Sequence, residues 1–84
     1  MIKGEYILIN LICKGSIENV GNEKVGVVSV VFISYDADIS KQKLQEYIKN
    51  DTENVYMLYC VPLDTDLATL EHYPSIAITK DDLM

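Results

Sequence analysis

Between Val25 and Tyr35 the chain reads VGVVSVVFISY. β-branched residues crowd a helix but fit the pleated surface of a sheet. Both alternating faces of the run are apolar, the pattern of a strand covered on two sides. Two other runs behave alike: Glu5–Lys14 (EYILINLICK) and Val55–Val61 (VYMLYCV), the second closed by Pro62. A chain with this much two-sided strand has to build a sheet and find cover for both of its faces.

The segments between these runs set the order. Gly15-Ser16 opens a polar stretch that continues through Asn19, Gly21, Asn22 and Lys24, the chemistry of a loop joining the first two strands as an antiparallel hairpin. The length of Val25–Tyr35 suggests a bulge near Gly26 or Ser29. Ser40 is a candidate helix N-cap, with Ile39 and Leu44 placed as a hydrophobic staple. Lys43 stands where a capping box wants Glu or Gln. Leu44, Tyr47 and Ile48 then recur at helical spacing, Lys41, Gln42, Gln45 and Lys49 face water, and Asn50 stops the helix.

After the third strand, Asp64–His72 predicts a short second helix with Leu67 and Leu70 inward and Pro74 ending it. Ser75–Thr79 (SIAIT) predicts a short fourth strand, and Lys80–Met84 a charged end that turns once or frays. The order β-β-α-β-α-β describes one α+β domain over residues 1–84. Its expected sheet is mixed and four-stranded, with one main helix and one short helix mainly on one face, and the main helix makes a right-handed crossover between parallel strands. Two such helices cannot cover both faces of a four-stranded sheet. Either tyrosines such as Tyr6, Tyr56 and Tyr59 close the second face, or the face meets another chain. The second alternative predicts a homo-oligomer or an obligate partner.

Charge separates the chain into two parts. The net charge is −6. Residues 1–50 hold six lysines against Glu5, Glu18, Glu23, Asp36, Asp38 and Glu46, and so are neutral. Residues 51–84 hold only Lys80 against Asp51, Glu53, Asp64, Asp66, Glu71, Asp81 and Asp82. All basic residues are lysines, so the bidentate arginine readers of guanine and phosphate are missing. Direct nucleic-acid binding is not expected, and an acidic balance argues the same way. No apolar run approaches the ~20 residues that span a bilayer, and no secretory signal is read at the start. The expected location is the cytoplasm.

Chemistry-bearing residues are few. Cys13 and Cys60 lie in apolar runs without flanking positive charge and read as buried small hydrophobes. With His72 the only histidine, there is no zinc-type cluster. Gly15, Gly21 and Gly26 are too far apart for a phosphate loop. Two Asp-x-Asp pairs, Asp36/Asp38 and Asp64/Asp66, each follow a strand and precede a helix. They could meet at one sheet edge and hold Mg²⁺ for phosphoryl transfer, but capping of two helix starts accounts for them more simply. The stretch Cys60–Asp66 (CVPLDTD) resembles the strand-plus-Asp-x-Asp element of Toprim and haloacid-dehalogenase enzymes. The chain lacks a matching Glu after its first strand, the haloacid-dehalogenase threonine two residues beyond the second Asp, and the length of either fold, so no function is carried over.

These readings favour a non-catalytic interaction or inhibitor-type protein, of the phage anti-defence, immunity or regulatory kind, with no cofactor. It would offer an acidic C-terminal surface to a basic protein partner, through Asp64, Asp66, Glu71, Asp81 and Asp82. The competing expectations are a small oligomeric domain that binds a regulatory ligand, and a Mg²⁺-dependent phosphoryl-transfer enzyme using the Asp pairs.

Overall fold

A computed structural model describes residues 7–83, apart from the Lys80 side chain. Its elements are β1 (Leu8–Val20), β2 (Glu23–Ser34), α1 (Ala37–Asn50), β3 (Val55–Pro62), a 3-10 turn (Leu67–Thr69) and α2 (Lys80–Leu83). The sheet has three strands in the order β2-β1-β3, and both pairings are antiparallel. Because β2 and β3 flank β1 and each oppose it, they run parallel to one another, and α1 connects them across β1. The fold is α+β, as the sequence suggests, but the four-stranded sheet is not formed.

The reason lies in Ser75–Thr79, the expected fourth strand. The segment pairs with no strand and crosses the sheet as a strap. Tyr59 on β3 donates its hydroxyl to the Ser75 carbonyl. Ile76 then sits over Gly15 of β1, and Ile78 over Gly26 of β2. A Cβ on Gly15 would meet Ile76 Cγ2 at 2.8 Å, and one on Gly26 would meet Ile78 Cγ2 at 2.9 Å. The two glycines therefore form a groove that admits the isoleucines only where the sheet has no side chains of its own. The expected helix over Asp64–His72 is reduced to the three residues Leu67–Thr69, and α2 is a single turn.

The loop expected from Gly15 is also replaced by strand. β1 continues to Val20, and Gly21-Asn22 alone joins it to β2, with Val20 opposite Glu23. Gly21 has φ +62, while Asn22 is not among the positive-φ residues. That is the backbone of a type II′ hairpin turn, whose twist matches the flanking strands. The register slips between Ile12 and Cys13, where Val31 is the extra residue on β2. The bulge thus falls at Val31, not at Gly26 or Ser29, and the Val31 carbonyl accepts a hydrogen bond from the Tyr47 hydroxyl at 3.2 Å.

Strand alternation and register sort the side chains onto two faces. One carries Asn10, Ile12, Phe32, Tyr56 and Leu58, and α1 packs on it. Ile12 and Ser40 are both fully buried. Asp36, not Ser40, is the N-cap: its carboxylate accepts the N–H groups of Asp38 at 2.9 Å and Ile39 at 3.0 Å. Ser40 lies inside the helix with its hydroxyl donated to the Asp36 carbonyl. The Tyr47 ring stacks on Tyr56, centroids 4.9 Å apart and planes within 9°. Ile48, expected on the inner stripe, is 51% exposed.

The other face carries Leu11, Cys13 and Ile17 on β1, Val28, Val30 and Ile33 on β2, and Val55, Met57 and Tyr59 on β3. Among the described residues the strap Ser75–Thr79 lies across it. The two cysteines fall on opposite faces, since Cys13 pairs with Met57 while Cys60 pairs with Asn10. Cys13 is buried as expected, but Cys60 is exposed. β3 is an edge strand, so a residue there is covered from fewer directions than one on central β1. Tyr6, offered as cover for the second face, lies outside the described residues.

Candidate functional site

The strap divides the second face. On one side of it lies a cleft of about 400 Å³ between Ser16 and Ile17, the Glu53–Val55 turn, the strap residues Ile76 and Ile78, and Asp82 of α2. The Gly15↔Val55 register brings the Glu53–Val55 turn beside the middle of β1. Ile17, Val55, Ile76 and Ile78 give the cleft apolar walls, while Glu53 and Asp82 supply two carboxylates and Asn54 a carboxamide.

Local hydrogen bonding fixes these parts. Asp51 accepts from the backbone N–H groups of Glu53 at 3.1 Å and Asn54 at 3.3 Å, from the Asn54 side chain at 2.8 Å and from the Tyr56 hydroxyl at 2.6 Å. The bond from Tyr56, followed by that from Asn54, holds the Asp51 carboxyl down at about 2, since both favour its charged form. The same bond pushes the Tyr56 phenol up to about 12, helped by burial and by the Asp51 charge. Asp51 is thus occupied in holding the turn. Across the cleft, Thr79 and Asp82 cap α2 reciprocally: the Asp82 carboxylate accepts from the Thr79 N–H at 2.8 Å and hydroxyl at 3.1 Å, and Asp82 N–H returns to Thr79.

The acidic candidates do not gather into one patch. Asp64, Asp66, Glu71, Asp81 and Asp82 are all exposed. Asp64 and Asp66 follow β3 at the end of the sheet where Pro62 meets Leu8, whereas Asp82 borders the cleft. Asp64 has φ +54, a left-handed backbone that Asp tolerates better than most residues. Asp66 caps the 3-10 turn by accepting from the Ala68 N–H at 3.0 Å. Glu53 was not singled out by the sequence pattern. It is separated from Asp82 by 29 positions, and only the sheet register places them on one cleft.

The Asp-x-Asp pairs do lie at the same end of the sheet, because β2 and β3 are parallel to each other. Asp36 and Asp66 are engaged as caps, and among the described residues no group of three or more His, Cys, Asp and Glu side chains is placed to hold a metal. His72 is exposed. Burial raises the Cys13 thiol, which disfavours the reactive thiolate. No helix among the described residues is long and apolar enough to cross a membrane. In comparisons with known proteins, no family model, no curated protein and no solved structure matches this chain.

Proposed function

We propose that the chain is a non-catalytic binding protein of the inhibitor or regulatory type, and that a basic protein partner docks on its acidic C-terminal segment. The observation that carries this reading is the cleft beside the strap. Its apolar walls and two carboxylates match a lysine or arginine side chain, an aliphatic stem ending in a cation. Asp81 and Glu71 are exposed on the same C-terminal segment, and Asp64 and Asp66 extend the negative field toward the end of the sheet. Among the described residues the lone ion pair is Lys43–Glu46 on α1.

A lysine-rich peptide serves as the probe. Binding is expected to weaken as salt rises, because exposed charges are screened. Glu53→Gln with Asp81→Asn and Asp82→Asn should weaken it by roughly tenfold, at a few-fold per exposed charge. Asn keeps the capping acceptor at position 82 while removing its charge. Binding that is as tight at high salt as at low salt, or that survives the triple substitution, would overturn the proposal.

A further inference from the structure

The two neighbours of β1 differ in reach. On one side β2 pairs with it as far as Val20, while on the other β3 stops with Val55 opposite Gly15. Over residues 16–20 β1 therefore has an open edge, with no strand beside it among the described residues. Residues 17–20 are exposed.

The hairpin turn fixes which main-chain groups face that edge. Val20 and Glu23 flank a two-residue turn, so their N–H and C=O groups bond one another. The register is unbroken from Cys13 to Val20. Alternation then turns the groups of Ser16 and Glu18 toward β2 and those of Ile17 and Asn19 outward. Ile17 also lines the cleft. A residue paired with Ile17 on an added strand shares its face and stands over the cleft.

Charge selects what can pair there. Glu53 and Asp82 border the cleft beside Ile17, and Glu18 points to the opposite face of the ribbon. The ribbon's lysine, Lys24, lies on β2, one strand away from the edge. A second copy of this chain pairing antiparallel through the same residues would bring Glu18 opposite Glu18, and like charges oppose such pairing. A strand with cations on one face meets carboxylates instead. We propose that the basic partner docks as an extended strand, added antiparallel to β1 over residues 16–20, with a lysine or arginine opposite Ile17 and over the cleft. This rests on the reading of the cleft as a site for a basic side chain, and it adds the partner's conformation. Main-chain bonds to Ile17 and Asn19 hold the strand, and the cleft confers the preference for a cation.

The probe is a capped hexapeptide of alternating valine and lysine, titrated by calorimetry at low salt. Its lysines, on the face of Ile17, turn their own N–H groups toward β1. Methylating the lysine backbone nitrogens removes those donors and keeps every charge, and should weaken binding about tenfold or more. Methylating the valine nitrogens, which point away from β1, should leave the affinity within about threefold of the parent peptide. Hydrogen exchange on the native chain is the second readout: the peptide should slow the Ile17 and Asn19 amides. Salt-sensitive binding that both methylated peptides retain alike, or that leaves those two amides unslowed, would overturn the added strand while the acidic docking site stands. A parent peptide that does not bind at low salt would overturn both.

Discussion

On one face of the sheet α1 is held at several places: the Asp36 cap, the Tyr47 bond to the bulged Val31 carbonyl, the stack on Tyr56, and the Asp51 turn that follows it. On the other face the strap touches down at Tyr59, Gly15 and Gly26. The first face encloses Ile12 and Ser40 completely, while the second buries Cys13 and Val61 toward its middle and one end but leaves Val28, Val30 and Ile33 half bare or more. The difference follows from what each cover can do. A helix of 14 residues presents a continuous side and satisfies its own backbone groups. An extended strap presents two isoleucines, and needs glycines beneath it to lie close.

The contrast makes its strongest demand at Ile12. Ile12→Ala should cost about 2–5 kcal/mol of stability by chemical denaturation, as truncation at an enclosed site does. Val28→Ala, half exposed on the other face, should cost well under half as much. Equal losses would mean that the two faces are packed alike.

A smaller loss is expected from Gly15→Val, which fills the groove under Ile76. Overpacking of this kind costs about 1–3 kcal/mol. It should free the strap, so that proteolysis cleaves within 70–79 sooner while α1 stays protected. An unchanged cleavage rate would show that the glycine groove does not hold the strap.

The helix side has a pH signature of its own. Asp51 has a lowered pKa in the folded chain, so its contribution is complete above the ordinary carboxylate range near 4 and is lost as pH falls toward about 2. Tyr56 has a raised pKa, so its contribution is complete below 10 and is lost as pH rises toward about 12. Tyr56→Phe should flatten both limbs of the stability profile. A profile identical to wild type would remove the Asp51–Tyr56 bond from the account. The smallest effect concerns the cysteines: in the native chain a thiol reagent should modify one group rapidly, at Cys60, and reach Cys13 only on unfolding.

Much of the first face was legible from residue pattern. The three strands, a helix ending at Asn50, and the crossover joining parallel strands all follow from runs long enough to fix their type. The helix start was displaced because Ser40 and Asp36 both suit a cap, and the tighter Asp-x-x geometry at Asp36 prevailed. The hairpin carried its signal in Gly21-Asn22, but the polar side chains around it suggested a longer loop. Residues such as Ser16, Glu18 and Asn19 can occupy a two-stranded ribbon that projects into water.

The strap could not be read this way. Ser75–Thr79 alternates like a strand because one of its sides is half-buried against the sheet, and alternation cannot distinguish pairing beside a sheet from lying over it. What decides is Gly15 and Gly26, about 50–60 residues earlier, which read alone as loop or bulge positions. The cleft was hidden for the same reason. Glu53 and Asp82 share it only through the register of β1 with β3 and the path of the strap.

The direct test of the binding account is a nuclear magnetic resonance titration of the labelled chain with a lysine-rich peptide. Amide shifts are predicted to concentrate at Glu53–Val55 and Ile76–Asp82 around the cleft and to disappear at high salt. Shifts that fall instead on α1 or on Val28–Ile33, or that persist unchanged in high salt, would contradict it.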